Sequence, residues 1–332
     1  MKNTLWLSNN DFSNLVLLIV FSGLIWALQW FFPAADIQKI SHLPGLLVHG
    51  TSGFNIPAKI SVLLGFPLFL LNLFLIYKLN SQFQIVANAN FLIAWMYVFV
   101  SCTDYRFLHF APGMLSVTLL IIIMFLVFQT IQKRQALSEM YFAGVILFSA
   151  ALFNAVVVIF IPFVLIALTI SKRTIWKEHV NFFLGMMTTA LLTSGILYLT
   201  DNLQILYNLP GINAIFPGLH IPDYKVVLHD FIIAIFIITA MFHLVGIMGF
   251  HKIMVRKHLY VIVLLLIITT ITYFFVDMSI MFRFYLGIPV SFILTHFIIY
   301  TKYRYLKRSF LWFMFFMMVI SEVLAVFNNL SG

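Results

Sequence analysis

The sequence predicts an all-α protein, a polytopic bundle of transmembrane helices. First, 63% of the residues are hydrophobic and 9% are charged, with a mean hydropathy of +1.07. A soluble domain carries about 25% charged residues. Second, the basic residues occur in short clusters between long apolar runs, as in the cytoplasmic loops of membrane proteins. An ordinary soluble enzyme is therefore excluded.

The apolar runs predict about 11 membrane spans, because a helix needs about 20 apolar residues to cross a bilayer. They cover residues 14–32, 60–78, 85–102, 113–132, 140–154, 156–171, 179–200, 229–250, 258–276, 284–300 and 309–327. The fifth and sixth are short, and we expect them to form a hairpin that only partly crosses the membrane and turns near Asn154 and Ala155. We interpret the first as a retained helix, since it is longer than the apolar core of a typical signal peptide. Residues 1–332 are expected to form one integral membrane domain.

The distribution of charge predicts the topology. With the N-terminus inside and the C-terminus outside, thirteen basic residues beyond the N-terminal segment lie in the cytoplasm, namely Lys78, Lys133, Arg134, Lys172, Arg173, Lys177, Lys252, Arg256, Lys257, Lys302, Arg304, Lys307 and Arg308. Five lie outside, namely Lys39, Lys59, Arg106, Lys225 and Arg283. This asymmetry satisfies the positive-inside rule. We therefore expect a multi-pass protein of a bacterial inner (cytoplasmic) membrane.

The same topology collects acidic side chains at the outer face. Asp11 is expected inside, whereas the other six aspartates are expected outside, namely Asp36, Asp104, Asp201, Asp223, Asp230 and Asp277. Two outer loops, 33–59 and 201–228, mix apolar residues with Pro and Gly, which indicates interfacial or re-entrant pieces. Chemistry is therefore expected at the outer face.

One candidate group lies in the short outer loop before Pro112. Asp104 and Arg106 are two residues apart and are followed by His109. An acid beside an arginine can act as a positioned base with a clamp for a phosphate or carboxylate. The alternative is an interfacial ion pair anchored by the neighbouring aromatic residues.

A second group lies around the start of the eighth span and contains His220, Asp223, Lys225, His229 and Asp230. A histidine next to an aspartate at a helix start fits either a helix cap or a proton-transfer pair. The spacing is neither His-x-His nor His-x3-His, so no metal site is expected there.

A third group, Asp277 and Arg283, brackets the tight outer turn between the ninth and tenth spans. Arg283 lies among apolar residues, where an arginine needs an anionic partner. That partner is a lipid phosphate, a substrate pyrophosphate or Asp277 itself. Within the spans, His243 and His296 are more typical of packed histidines than of ligands, and Glu322 is close enough to the outer end to reach the interface.

Several function classes are excluded by what the sequence lacks. There is no GxxxxGK[ST] and no GxGxxG after a strand, so an ATP-driven function is not expected. Cys102 is the single cysteine, which excludes an internal disulfide and a cysteine-based metal site. The basic clusters do not form one face of a soluble module, so no nucleic-acid partner is expected. We therefore predict no cofactor and no metal.

The segment from Pro112 to Asp201 resembles a known family. It contains Pro-Gly-Met-Leu at 112–115, Met-Tyr-Phe-Ala-Gly at 140–144, Ile-Pro-Phe at 161–163, Ser-Lys-Arg at 171–173, Trp-Lys-Glu at 176–178 and Gly185. These features resemble a domain-of-unknown-function family of polytopic inner-membrane proteins from Gram-negative bacteria. The architecture is also loosely similar to multi-span (GT-C-like) glycosyltransferases and polysaccharide polymerases. Those enzymes use polyprenyl-linked sugars, and their catalytic acid lies in the first outer loop, where Asp36 is the candidate here.

The leading hypothesis is glycosyl transfer or polymerisation on a polyprenyl-linked sugar at the outer face. The candidate catalytic residues are Asp36, Asp104 and Asp277, and the candidate substrate-binding residues are Arg106, His109, His229, Asp230 and Arg283. The main alternative is a non-catalytic membrane subunit of a cell-envelope assembly for secretion, motility or surface-polymer export. A lipid-carrier flippase or transporter is the third. Membrane lipid, a polyprenyl-phosphate-linked sugar and other inner-membrane subunits are the expected partners.

Overall fold

The computed structural model describes residues 11–31, 58–86, 91–102, 108–133, 135–171, 176–202, 224–275, 282–302 and 304–331. These ranges contain helices and no strand. The α-helices are α1 (Asp11–Phe31), α2 (Ala58–Phe83), α3 (Leu92–Ser101), α4 (Pro112–Gln132), α5 (Leu137–Phe153), α6 (Phe160–Ile170), α7 (Trp176–Leu199), α8 (Tyr224–Ile247), α9 (Ile253–Phe275), α10 (Phe282–Tyr300) and α11 (Arg304–Ser331). Two 3₁₀ segments, Ala155–Ile159 and Met248–Phe250, adjoin α6 and α8.

Within the described ranges, seven helices are long and apolar enough to cross a membrane: α1, α2, α4, α7, α8, α9 and α10. Helices α3, α5 and α6 are also apolar, but they are shorter. These lengths fit a membrane-embedded protein. The count of about 11 spans and the orientation of the two termini stay predictions.

Helix α3 is shorter than the span expected at 85–102, since it begins at Leu92 and is ten residues long. The chain leaves α2 through a turn at its end, in which Gln84 has a φ of 46°. The Asn80 side chain closes this turn, because its amide donates to the Val86 carbonyl (3.1 Å) and its oxygen accepts from the Val86 N–H (2.9 Å). A helix of this length extends about 15 Å, half the hydrocarbon thickness.

The centre of the bundle is formed by α3, α4 and α10. All ten residues of α3 are buried, and most residues of α10 are buried as well. Helix α3 packs on α10 and on α2, while α4 packs on α2 and α5. The short helix is therefore enclosed by its neighbours.

Helices α5 and α7 run parallel in close contact. The Tyr141 hydroxyl donates to Thr188 (3.1 Å), and Thr189 donates to the Val145 carbonyl (3.4 Å). Gly144 and Gly185 lie at the crossing, where a Cβ on either glycine would overlap a backbone carbonyl of the other helix. Small residues allow this close approach. Because α5 and α7 start at the same end, the intervening α6 must return the chain there, as expected for a hairpin that turns near Asn154.

Contacts between helix termini define two ends of the bundle. At one, which we call the Arg283 end, the starts of α2, α4 and α10 meet the end of α5 through contacts of Ser61, Gly113, Tyr285 and Asn154. At the other, the ends of α2 and α4 meet the start of α9, where the rings of Phe83, Phe128 and His258 pack together. We call it the lysine-rich end, since it carries Lys133, Lys177, Lys252, Lys257, Lys302 and Lys307.

The described charges are sorted between these ends. Lys59 and Arg283 lie at the Arg283 end, as does Asp201, which follows α7. This relative grouping agrees with the grouping expected from the sequence. Which end faces the outside stays a prediction.

Candidate functional site

The Arg283 end contains a buried guanidinium. Arg283 lies in the first turn of α10 and is 7% exposed. The N-terminus of a helix carries partial positive charge from its unpaired N–H groups, and here it adjoins an arginine. An anionic group is therefore favoured at this position.

Neutral hydrogen bonds fix the start of α10. The Tyr285 hydroxyl accepts from the Asn154 amide (3.1 Å) and donates to the Gly113 carbonyl (3.4 Å). One residue earlier, the Phe284 carbonyl accepts from the Tyr97 hydroxyl (3.4 Å). The first turn of α10 is thus joined to α3, α4 and the turn after α5, which holds Arg283 in place.

Asn154 connects the turn after α5 to this network of hydrogen bonds. It follows α5, and its side-chain oxygen accepts from the Val156 N–H (3.2 Å), so that it caps the 3₁₀ segment Ala155–Ile159. Its amide is then directed at Tyr285. Asparagine favours such local bonds at helix starts. Asn154 therefore stabilises the turn after α5, and its amide also joins this turn to α10.

His109 lies in the segment that leads into α4 and is 1% exposed. Next to it, the Phe110 N–H donates to the Ser61 carbonyl (2.9 Å) and the Ser61 hydroxyl donates to the Phe110 carbonyl (3.0 Å). Pro112 then occupies the first turn of α4, where its missing N–H costs nothing. His109 is therefore buried at the same end of the bundle as Arg283.

Two of the predicted site residues, His109 and Arg283, are thus placed at one end of the bundle. His229 and Asp230 lie in the first two turns of α8, but their side chains are outside the described part. Asp36, Asp104, Arg106 and Asp277 lie outside the described residues altogether, and so does most of the loops 33–59 and 201–228. The convergence of the acids with Arg283 stays a prediction.

A second polar cluster lies at the lysine-rich end and was not predicted. The Nε2 atoms of His251 and His296 are 2.9 Å apart, and one imidazole donates to the other. Both rings pack against Tyr300, with centroid distances of 4.9 and 4.4 Å. The ring of His243 contacts Phe297 edge-on (5.2 Å). His296 is therefore a packed, hydrogen-bonded histidine, in agreement with the expectation, whereas His251 was not singled out.

Two glutamates at the lysine-rich end have structural roles. Glu178 is fully buried and accepts from the Ala136 N–H (3.0 Å), so it caps the start of α5 from the start of α7. Glu139 forms a salt bridge with Lys133 and accepts from Ser138 (3.0 Å). Carboxylates near a helix start are stabilised by its dipole. Within the described residues, no group of three or more His, Cys, Asp or Glu could hold a metal ion.

Of the two ends of the bundle, the Arg283 end has the side chains better suited to bind a ligand, so it is the better candidate site. The hydroxyl of Tyr285 is engaged as both donor and acceptor, so it positions its neighbours. Arg283 can donate two parallel hydrogen bonds to a phosphate. The contact between Asn154 and Tyr285 is central to this network. No sequence signal reveals it, because the two residues are far apart in the sequence.

Comparison with known proteins identifies the family and no activity. Neither the curated proteins nor the solved structures give a match to the chain. A family model matches residues 36–328, which is most of the sequence. The chain therefore belongs to DUF6427, a family of unknown function.

Proposed function

We propose that this protein transfers or polymerises a sugar carried on a polyprenyl phosphate or pyrophosphate, at the outer face of a bacterial inner membrane. The observation that carries the proposal is the burial of Arg283 at the start of α10. A guanidinium held between apolar helices suits a ligand that combines a phosphate with a hydrocarbon chain. The Arg283 end is then the outer end of the bundle.

In the proposed reaction, Arg283 binds the phosphate of the carrier. A carboxylate from Asp36, Asp104 or Asp277 accepts the proton of the acceptor hydroxyl, whose oxygen attacks the anomeric carbon of the sugar. The bond from that carbon to the phosphate oxygen breaks, and the carrier phosphate leaves with the electron pair. Arg106 and Arg283 stabilise the charge that develops on the leaving group.

The remaining expected residues bind the sugar or the phosphate. His109 adjoins the start of α4, and the helix-start dipole there favours an anion. His229 and Asp230, in the first turns of α8, would donate and accept hydrogen bonds with sugar hydroxyls. The bonds of Tyr285 with Asn154 and Gly113 support this arrangement because they fix the backbone that carries Arg283.

The test is substitution of Arg283 in the native host, scored for surface glycan, and binding of a short-chain polyprenyl diphosphate to purified protein by native mass spectrometry. Arg283→Ala is expected to abolish both, and Arg283→Lys to restore them in part, because an ammonium cannot form the bidentate contact. The control is Arg308→Ala, an exposed arginine at the lysine-rich end. Wild-type glycan and wild-type lipid binding in Arg283→Ala would refute the proposal.

The second candidate is a non-catalytic membrane subunit of a cell-envelope assembly. One observation favours it: few residues of α7 are buried, and its main described partner is α5. Cross-linking from the exposed Leu191 of α7 in the native membrane tests it. A specific cross-link to another membrane protein, together with unchanged glycan in Arg283→Ala, would favour the subunit.

A further inference from the structure

One face of α9 begins with basic residues at the lysine-rich end and continues as an apolar stripe. Lys252 directly precedes the helix and is exposed, and Arg256, one turn further, is half-buried. The stripe consists of Tyr260, Ile267 and Ile271, which are 49%, 50% and 52% exposed. Residues at spacings of four and seven share one side of a helix. The basic residues and the stripe therefore form one continuous surface.

The opposite face of α9 packs inside the bundle. His258 and Ile262 are buried there, and the helix contacts α10, α6 and α4. Helix α9 is long and apolar enough to cross a membrane, so its uncovered stripe faces lipid. From Arg256 to Ile267 the helix rises about 16 Å, at about 1.5 Å per residue. This is close to the hydrocarbon depth of one leaflet, about 15 Å.

The basic residues of this face have no acidic partner within the described ranges. The carboxylates of Glu139 and Glu178 are engaged elsewhere, the first with a lysine and the second with the start of α5. Lys257 adds a third positive charge, and its ammonium donates to a backbone carbonyl at the end of α6 (3.1 Å). Like charges one turn apart on a helix repel each other. An anion that contacts both Lys252 and Arg256 would offset this repulsion.

We propose that this face of α9 binds an anionic phospholipid, with the lipid phosphate on Lys252 and Arg256 and an acyl chain along the stripe. A guanidinium can donate two parallel hydrogen bonds to a phosphate. Tyr260 lies one turn below Arg256, where the headgroup meets the hydrocarbon, a position that tyrosine favours in membrane proteins. The site is at the opposite end of the bundle from Arg283 and does not depend on the function proposed there.

The apolar residues around the basic pair favour a lipid over a soluble anion or an acidic protein segment. Phe250 and Ile253 flank Lys252 and are 89% and 65% exposed. A soluble phosphate would use the two charges and leave these side chains and the stripe in contact with other molecules. A phospholipid uses both parts of the surface, since its phosphate and its acyl chain are joined in the order in which the charges and the stripe occur along α9.

The first test measures binding of phosphatidylglycerol and of phosphatidylcholine with the same acyl chains to the purified full chain, by native mass spectrometry. A basic residue close to anionic lipid contributes a factor of about five to binding. The double variant Lys252→Gln, Arg256→Gln is therefore expected to bind phosphatidylglycerol about 25-fold more weakly and phosphatidylcholine as the wild type does. The matched control is Lys177→Gln with Lys302→Gln, which removes two exposed charges from the same end. It is expected to keep wild-type binding of phosphatidylglycerol.

The second test uses the unchanged chain, so it does not depend on the folding of a variant. Phosphatidylglycerol with a photoreactive diazirine midway along one acyl chain is cross-linked to the protein in nanodiscs, and the labelled peptides are identified by mass spectrometry. We expect label within residues 260–271, and no displacement by excess glycerol phosphate, which has the phosphate but no acyl chain.

Three results would overturn the proposal. Equal losses in the two double variants would show that binding follows overall charge and not a site on α9. A wild-type protein that binds the two lipids equally would exclude selection of an anionic headgroup. Label that is absent from residues 260–271, or that glycerol phosphate displaces, would exclude an acyl chain along the stripe.

Discussion

At the Arg283 end, helices that are distant in sequence are joined by neutral groups: Tyr97, Tyr285, Asn154 and backbone carbonyls. At the lysine-rich end, several of the described contacts between segments use ionisable groups as well. These are the salt bridge of Lys133 with Glu139, the bond of Glu178 to Ala136, the histidine pair, and the bonds of Lys257 and Lys307 to carbonyls. The two ends of the bundle thus differ in the type of side chain that joins their segments.

This difference predicts that the two ends differ in how their contacts depend on pH. Neutral hydrogen bonds between buried groups do not change with pH between about 5 and 8, because none of their members titrates there. Histidines outside the spans, by contrast, can gain a proton in that range. The contacts of the Arg283 end should therefore be insensitive to pH, whereas the stability of the lysine-rich end should depend on pH. Four predictions test this division, from the largest expected effect to the smallest.

The crossing of α5 with α7 lies between the two ends and should affect both. Gly185→Ala places a Cβ against the Tyr141 carbonyl, so the helices must separate and the bonds of Thr188 and Thr189 are strained. We expect a loss of about 3 kcal/mol or more in the free energy of unfolding, measured by detergent denaturation.

The matched control for the crossing is Gly195→Ala on the same helix, where the new Cβ has nothing within 4 Å. It should be neutral or slightly stabilising, because alanine has the higher helix propensity. Equal losses in the two variants would show that the crossing is not the cause.

At the Arg283 end, Asn154→Ala removes the amide that bonds Tyr285 and the oxygen that caps Val156. Buried groups left without partners cost about 1–3 kcal/mol, and we expect a loss in the free energy of unfolding of that size. The loss should be the same at about pH 5 and about pH 8. Asn181→Ala, whose amide makes a longer bond (3.3 Å) to Leu137, should lose less.

At the lysine-rich end, acidification should destabilise the wild-type protein. Burial lowers the pKa of folded His251, so below about pH 6.5 the unfolded chain binds more protons than the folded one, and stability falls as pH falls. Thermal unfolding measured from about pH 8 to about pH 5 checks the sign. His251→Gln should flatten this dependence, and an unchanged slope would contradict the assignment.

The smallest effect is expected for Lys307→Met, which removes the ammonium that donates to the Ile299 carbonyl near the end of α10. A cation at a helix C-terminus contributes about 0.3–1 kcal/mol to stability. Thermal unfolding should therefore shift slightly, and less at high salt. Lys302→Met, an exposed neighbour, serves as the control. A loss as large as that of Asn154→Ala would remove the distinction between the two ends.

Hydropathy predicted the helices well because apolar length is the property that a bilayer selects. Each expected span overlaps a helix, and the turn after the fifth falls at Asn154 as expected. The exception is α3, where the apolar run alone did not reveal the turn that Asn80 closes with Val86. Hydropathy alone does not report a local side-chain bond of this kind.

Charge sorting predicted the same side of the membrane for His109 and Arg283, and both lie at the Arg283 end of the bundle. That they form a functional site stays a prediction. Asn154 with Tyr285, and His251 with His296, are contacts between residues far apart in sequence. No spacing rule links such pairs, since each depends on how helices pack after insertion.

The parallel packing of α5 on α7 has a consequence for how the chain is made. The carbonyls that face Gly144 and Gly185 meet only after α6 has been synthesised and has returned to the starting side. A ribosome therefore delivers α5 before its main described partner, and α5 has 17 residues, at the lower limit of a membrane span. The close contact between α5 and α7 can therefore form only after all three segments have been synthesised.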